Sequence, residues 1–233
     1  MKNFLLEITS LENYKWAHWA FIFSAYFVLH IFLISSPTQT NLAVFQAEAF
    51  LKGNLHIEAY FWDTAHYKNN YYVTYPPFPA LLVTPLVAIG GSAINSWLVS
   101  FVVSCLSMFV LYRILHQYMG NSKGKVWVFL AFFFGSPYWY VLITSTYIYS
   151  FAHIICTALL LLLLLELSGK QRLGWIAFYW SMAFMTRQMT LFYGILIIYF
   201  VLSNNPPHAY RKLAFIGLIF ALVTISYLLL NYI

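Results

Sequence analysis

The chain has 233 residues, of which 62% are hydrophobic, 21% are aromatic and only 8% are charged. A soluble domain carries roughly 25% charged residues, so this composition excludes an ordinary soluble fold and indicates an integral, multi-pass membrane protein. The net charge of +6 needs no nucleic-acid partner, because Lys and Arg accumulate in the cytoplasmic loops of membrane proteins. Cys105 and Cys156 lie inside apolar runs, where we expect small buried thiols.

The N-terminal part predicts one span followed by a large loop. Residues 1–15 have the pattern of a short amphipathic helix at the membrane surface. Trp16 to Ser35 then continues for about twenty residues without a formal charge, which is long enough to cross about 30 Å of hydrocarbon. The chain turns polar from Ser36 to Tyr75. We therefore predict a large outer loop at residues 36–92.

Two juxtamembrane helices are predicted within this loop. Leu42–Leu51 has helical character, and a cluster of prolines at 76–79 suits the opening of a second helix, because proline lacks the N–H that an interior turn needs. The second helix, Phe78–Ile89, is apolar but too short to span, and it ends at Gly90 and Gly91. It is expected to be juxtamembrane or re-entrant.

The rest of the chain predicts six more spans. Four of them are Ala93–Leu111, Val126–Trp139, Ile148–Leu167 and Leu213–Ile233. Glu166 is expected near an interface where it reaches water. A long apolar stretch up to Ser203 is broken by Arg187, and an Arg in lipid costs at least about 2.5 kcal/mol. This stretch therefore predicts two short helices that meet at an exposed tip. The predicted fold class is all-α, a single module of about seven transmembrane helices over residues 1–233.

Basic residues predict the orientation. With a cytoplasmic N-terminus, nine Lys and Arg face inward and three face outward, as the positive-inside rule requires. The three outward residues are Lys52, Lys68 and Arg187. Counting residues 78–89 as a full span would reverse the later loops and put their basic residues outside. We expect a multi-pass protein of the cell (inner) membrane with its N-terminus in the cytoplasm.

Several motifs follow one another in a recognisable order. They are Gln46–Gly53 (QAEAFLKG), Asp63, Asn70–Pro79 (NYYVTYPPFP), Phe134–Pro137 (FGSP) and Met182–Arg187 (MAFMTR). Their order and spacing resemble the N-terminal transmembrane module of GT-C class glycosyltransferases. The polyprenyl-phosphate-sugar-dependent members, which include protein mannosyltransferase-like and aminoarabinose transferase-like proteins, share this layout.

The resemblance implies a membrane glycosyltransferase that moves a sugar from a polyprenyl-phosphate donor to an acceptor on the non-cytoplasmic face. A donor with a polyprenyl tail needs a hydrophobic groove, and its phosphate needs a cation near the interface. The implied partners are the bilayer, the donor and an acceptor that the sequence does not specify. No cofactor and no metal are predicted, because no second ligand stands at metal spacing from His66 or His153.

For that chemistry a general base must lie outside the membrane, which leaves Glu48, Glu58 and Asp63. We predict Asp63 as the base, because Trp62 and its other aromatic neighbours are expected to form a partly dehydrated wall. Glu48, on the loop helix, is the second catalytic candidate. Arg187 is the predicted phosphate contact. Further substrate contacts are predicted at His66, Tyr72, Tyr75, Tyr147 and His153.

Each of these residues also has a structural interpretation. Asp63 and Glu48 can be solvated loop acids, Arg187 can bind helix-end carbonyls, and the tyrosines can form an interfacial aromatic belt. Members of the resembling class usually carry an Asp just after the first span, whereas residues 35–41 contain no acid. A non-catalytic lipid-binding, transport or scaffold protein therefore stays open as the alternative function.

Overall fold

The computed structural model describes residues 25, 26, 28, 31, 32, 41–58, 60–120, 122–204 and 209–232. Within them the protein is mostly helical. The predicted amphipathic segment at residues 1–15 and most of the predicted first span lie outside the described residues. So does most of the acid-free stretch at 35–41, of which only Asn41 is described.

The loop begins with helix α1, Leu42–Leu51. Asn41 caps it, because the Asn41 side chain accepts a hydrogen bond of 2.9 Å from the amide of Ala43. The chain then turns at Gly53, whose φ of +74° favours glycine. The predicted loop helix is therefore present, with the expected end.

A β-hairpin follows, which the all-α prediction does not contain. Strands β1, Thr64–Tyr67, and β2, Asn70–Val73, pair antiparallel. The two-residue turn between them has φ of +48° at Lys68 and +64° at Asn69, which suits the right-handed twist of a tight hairpin. The hydroxyl of Thr74 donates to the carbonyl of Asp63 at 3.0 Å, which ties the two ends of the hairpin together.

Helix α2, Phe78–Gly90, is the predicted short apolar helix. Its 13 residues are too few to cross a bilayer. It ends at Gly91, which has a positive φ and opens a short 3-10 turn, Gly91–Ala93. The amide of Phe78 donates to the carbonyl of Met185 at 3.1 Å. This bond ties the proline-rich entry of α2 to the tip that carries Arg187.

In the described part of the chain, seven α-helices follow α2. They are α3 Ser96–Met119, α4 Gly124–Phe134, α5 Tyr138–Ile143, α6 Ile148–Ser168, α7 Leu173–Phe184, α8 Tyr193–Asn204 and α9 Ala209–Tyr232. A 3-10 helix, Gln188–Phe192, precedes α8.

Three of these helices are long and apolar enough to span a membrane, namely α3, α6 and the Ala209–Leu229 part of α9. They correspond to the predicted spans two, four and seven. The predicted spans three, five and six contain helices α4, α7 and α8, of 11, 12 and 12 residues. These lengths fall short of the roughly 20 residues that a full crossing needs. A count of about seven spans is therefore not confirmed in the described part of the chain.

The breaks in the shorter helices have visible causes. Helix α4 ends at Phe134 instead of the predicted Trp139, because Gly135 and Pro137 follow. The predicted break around Arg187 is present, since α7 ends at Phe184 and the chain resumes as a 3-10 helix at Gln188.

Helices α3 and α6 form the central pair. Ser96, Ser100, Ser104 and Ser107 are buried along α3, and such small side chains allow close helix approach. The Ser104 hydroxyl accepts a bond of 3.1 Å from the Tyr138 hydroxyl. Helices α1 and α2 pack on the first turns of α6. As a result α1, α2, α6 and α7 share one apolar core.

The two ends of α6 define the two ends of the bundle. We call the end near Ile148, which carries the hairpin and the Arg187 tip, the loop end, and the end near Ser168 the far end. At the far end Glu166 is only 7% exposed, so the expected water contact is wrong. Arg172 takes the place of water, with its Nε 3.1 Å from Glu166 Oε2 and its Nη2 on Glu166 Oε1.

Candidate functional site

Arg187 has a backbone held from both sides. Its amide donates to the carbonyl of Ala183 at 2.8 Å, and its carbonyl accepts from the Thr190 amide at 3.0 Å and the Thr190 hydroxyl at 2.8 Å. The residue itself is extended, between α7 and the 3-10 helix. The tip predicted from the sequence is therefore a fixed connection that aims one side chain.

The Arg187 guanidinium is positioned without being neutralised. Nη2 donates to the carbonyl of Tyr149 at 2.9 Å, and Cζ lies 6.0 Å from the centre of the Tyr75 ring. Nε is buried and has no hydrogen-bond partner within the described ranges. No carboxylate among the described residues forms an ion pair with Arg187, whereas Arg172 pairs with Glu166.

Two opposite charges act on the Tyr75 phenol. Burial raises the pKa of its phenol above the ordinary value, the nearby Asp63 carboxylate raises this pKa further, and the Arg187 guanidinium lowers it. Both charges thus act on one ring. The predicted base, the predicted phosphate contact and one predicted aromatic contact belong to the same neighbourhood.

Asp63 opens onto a pocket of about 520 Å³. The walls include Phe45, Phe61, Thr146 and Tyr147, and Asp63 is the charged member of this lining. Tyr147 is 39% exposed, and its ring stacks on that of Tyr149 with centroids 5.8 Å apart. The residue that holds Arg187 through its carbonyl therefore also supports a wall of the Asp63 pocket.

The dehydrated wall expected around Asp63 is not present as predicted. The Asp63 side chain is exposed, and Trp62 is 95% exposed. His66 and Tyr67 are exposed as well, on strand β1. Trp62 still lines the pocket, and its other aromatic lining residues are Phe45 of α1, Phe61 and Tyr147.

A second pocket lies beneath the hairpin and has a volume of about 350 Å³. Tyr72 and Tyr75 both line it, together with Gln46 of α1 and Met185. The Gln46 side chain is 6% exposed, and its Oε1 has no hydrogen-bond partner within the described ranges.

His153 lines a third cavity, a groove of about 510 Å³. It runs beside α6 past Thr157, Leu160 and Leu164, and Tyr193 of α8 also lines it. The charge of Arg187 acts on His153. The groove is thus an apolar channel whose polar end is near the Arg187 tip.

Two predicted site residues are not brought to these cavities. Glu48 lines a separate pocket of about 170 Å³ with Lys52 and His56, so it does not share a pocket with Asp63. His66 lies on the exposed hairpin, where its ring contacts Tyr71 at 5.1 Å. Neither position supports the role predicted for it.

Sequence reasoning missed three residues of the site. Gln46 stands in the sequence only as one residue of a motif, and the Tyr149 carbonyl has no signature in a sequence. Asn41 was readable as a helix cap, because it directly precedes an apolar helical segment. The Asn41 side chain also donates to the carbonyl of Ser145 at 3.3 Å, which joins α1 to the turn before α6.

In the part of the chain that the structure describes, no group of three His, Cys, Asp or Glu side chains is arranged to hold a metal ion.

Comparison with protein-family models, curated proteins and solved structures finds no match to this chain. The fold is that of a mostly helical membrane protein with three candidate spans among the residues that the structure describes.

Proposed function

We propose that the protein is a membrane glycosyltransferase that moves a sugar from a polyprenyl-phosphate donor to an acceptor on the non-cytoplasmic face. The observation that carries the proposal is the state of Arg187. Its guanidinium is fixed by the Tyr149 carbonyl, faces the Tyr75 ring, and keeps a buried N–H without a partner in the described part of the chain. A guanidinium in this state favours a phosphate, which offers several anionic oxygens to a planar donor.

The neighbouring groove supports the lipid part of the donor. It carries His153 and Thr157 at one end and leucines of α6 along its length. Such a channel suits a polyprenyl chain, because the chain is apolar and its phosphate would remain beside Arg187. The groove lies next to one of the three candidate membrane spans, where a lipid substrate would arrive laterally.

Asp63 is the proposed general base. It takes the proton of an acceptor hydroxyl while that oxygen forms a bond to the anomeric carbon of the donor sugar. The bond between the anomeric carbon and the phosphate oxygen breaks, and the electron pair leaves with the polyprenyl phosphate. The leaving phosphate gains charge, which the Arg187 guanidinium stabilises. The exposure of Asp63 suits an acceptor that arrives from water.

A non-catalytic lipid-binding, transport or scaffold protein is the second candidate. Two observations favour it. The side-chain amide of Asn41 already makes two hydrogen bonds, one that caps α1 and one to the Ser145 carbonyl. Asn41 supplies no carboxylate. Glu48 and Asp63 line different pockets and do not form a pair. In this reading Arg187 holds a phosphate lipid, but no group is transferred.

One experiment separates the two functions. The full chain is purified from membranes, its bound lipid is extracted for mass spectrometry, and the protein is then supplied with undecaprenyl-phosphate-linked radiolabelled hexose in nanodiscs. The enzyme is expected to co-purify with a polyprenyl phosphate and to release it from the labelled donor. Binding without release in the presence of candidate acceptors favours the non-catalytic protein. The absence of both binding and release contradicts both functions.

A further inference from the structure

The pocket beneath the hairpin contains an unused hydrogen-bond acceptor. Gln46 lies on α1 with 6% of its surface exposed, and its Oε1 has no partner in the described ranges. A buried amide oxygen without a partner costs free energy, so native structures retain such a group only where a ligand, a water or a special role explains it. Gln46 is also among the residues that line the pocket of about 350 Å³.

The pocket has the dimensions and lining of a small-molecule subsite. Its volume is in the range of roughly 300–1,000 Å³ typical of ligand pockets. Apolar and aromatic walls come from Phe50, Tyr72, Tyr75 and Leu81. The tyrosine rings offer flat faces of the kind on which sugar rings stack, and their hydroxyls add polar contacts.

The pocket lining is neutral. Of its described lining residues none is Asp, Glu, Lys, Arg or His. An ammonium or carboxylate on a ligand would lose water there, and no oppositely charged side chain belongs to the described lining. A hydroxyl, in contrast, would donate to Gln46 Oε1 and supply the missing bond. The lining therefore favours a neutral, hydroxyl-rich group over an amino sugar or a uronic acid.

The pocket also adjoins the Arg187 neighbourhood. Tyr75 lines the pocket and has its ring 6.0 Å from the Arg187 guanidinium. Met185 lines it too, two residues before Arg187. A group in the pocket can thus belong to the same ligand as a phosphate at Arg187.

We propose that this pocket binds a neutral sugar, with Gln46 Oε1 accepting a hydrogen bond from a sugar hydroxyl. The identification of the ligand as a glycosyl group rests on the proposed function, whereas the site itself rests on the buried oxygen and the uncharged lining. The proposal names the substrate class as neutral hexoses or pentoses.

The test uses the full chain in nanodiscs and saturation-transfer NMR with three probes. These are methyl β-D-glucopyranoside, its uronic acid analogue and its 2-amino analogue. Transfer is expected to the neutral glycoside and to be at least about fivefold weaker for the charged ones. Gln46→Leu should weaken the neutral signal by about fivefold to tenfold, which is the loss of one hydrogen bond.

Ser181→Ala is the matched control. It also removes a buried oxygen without a partner in the described ranges, but Ser181 does not line this pocket. Its signal should equal that of the wild type. If Gln46→Leu does not fold, Gln46→Asn, which retains an amide but withdraws it from the pocket, should show the same loss.

The outcomes are separable from those of the proposed function. No transfer to the neutral glycoside, or an unchanged signal in Gln46→Leu, overturns the sugar site and leaves a buried water as the partner of Oε1. Binding of undecaprenyl phosphate, which has no sugar, tests the proposed function alone. Sugar binding that depends on Gln46 without lipid binding would keep the sugar site and reject the donor.

Discussion

An arginine from outside helix α6 contacts each of its two ends, and the two arginines are used in opposite ways. At the far end, Arg172 forms two side-chain bonds to the buried Glu166 carboxylate, which raises the pKa of Arg172. At the loop end, Arg187 donates to the Tyr149 carbonyl, lies over an aromatic ring, and keeps Nε without a partner in the described ranges.

This difference shows how the same residue type serves structure at one end and is available to a ligand at the other. A guanidinium already satisfied by a carboxylate has little to offer an incoming phosphate. A guanidinium oriented by a carbonyl keeps its charge available. We therefore expect changes at the loop end to alter binding and activity, and changes at the far end to alter stability.

The largest effect is expected from Asp63→Asn. The amide keeps the size of the carboxyl group but does not accept a proton, so sugar transfer should fall by roughly 10² or more. Transfer of labelled sugar in nanodiscs is the measurement. Glu58→Gln is the control, since Glu58 is an exposed loop acid paired with Lys52. Turnover of Asp63→Asn within a few-fold of wild type, with donor binding intact, would remove Asp63 from the mechanism.

The next effect concerns the far end. Arg172→Gln leaves the Glu166 carboxylate buried without its partner, so the temperature of thermal unfolding should fall clearly while donor affinity stays close to wild type. Scanning fluorimetry in detergent measures the first quantity. The double variant with Glu166→Gln should recover part of the loss, because the unpaired charge is gone. An unchanged unfolding temperature in Arg172→Gln would contradict the claim that the far-end arginine serves stability.

A smaller effect is expected at the proline turn. Pro76 and Pro77 set the angle at which the chain enters α2, beside the Phe78 amide that bonds to the Met185 carbonyl. Replacing both with Ala should loosen the loop and lower transfer by about tenfold without removing a reacting group. Limited proteolysis and transfer assays measure the two consequences. If both match the wild type, the turn is only a connector.

The smallest effect is a titration of Tyr75. Its pKa is raised by burial and by Asp63 and lowered by Arg187, so Arg187→Gln should raise this pKa and Asp63→Asn should lower it. Fluorotyrosine placed at position 75 and followed by ¹⁹F NMR compares the variants. If the Tyr75 pKa shifts in the opposite direction in either variant, the corresponding charge does not act on the Tyr75 phenol as stated.

The sign of the Tyr75 contribution to stability follows from the same shift. A phenol whose pKa is raised on folding holds its proton more tightly in the folded state. Its contribution is fully present below the ordinary value of about 10 and is lost as pH rises through the folded value. Tyr75→Phe should therefore flatten the loss of stability at alkaline pH, as measured by thermal unfolding across that range.

Much of the helical layout was predictable, because strong local signals set it. The prolines before Phe78, the glycines at 90 and 91, and the charge at Arg187 each break an apolar run, and the structure breaks there too. The long helices α3, α6 and α9 follow from uninterrupted apolar length. The far-end pair was not predicted, since the sequence shows Glu166 and Arg172 as two separate interfacial charges.

The hairpin and the grouping of the site were harder to predict. The hairpin turn is Lys68-Asn69, not one of the glycine-containing pairs that signal a tight turn, and each strand has only four residues. Without the hairpin, nothing in the sequence brings Asp63 towards Tyr75 or separates it from Glu48. The contacts of Arg187 with the Tyr149 carbonyl and the Tyr75 ring join residues that are far apart in the sequence, and local patterns do not encode such contacts.

The most direct test of the account is the affinity of undecaprenyl phosphate for the wild type and for variants of Arg187 in nanodiscs. Arg187→Gln should weaken binding by at least about tenfold, and Arg187→Lys should be intermediate, because it keeps the charge but loses the planar donor. Lys68→Gln, which removes another loop-end cation that lies over the Tyr67 ring, should bind like the wild type. Equal affinities for wild type and Arg187→Gln would contradict the claim that the loop-end arginine is kept available for a lipid phosphate.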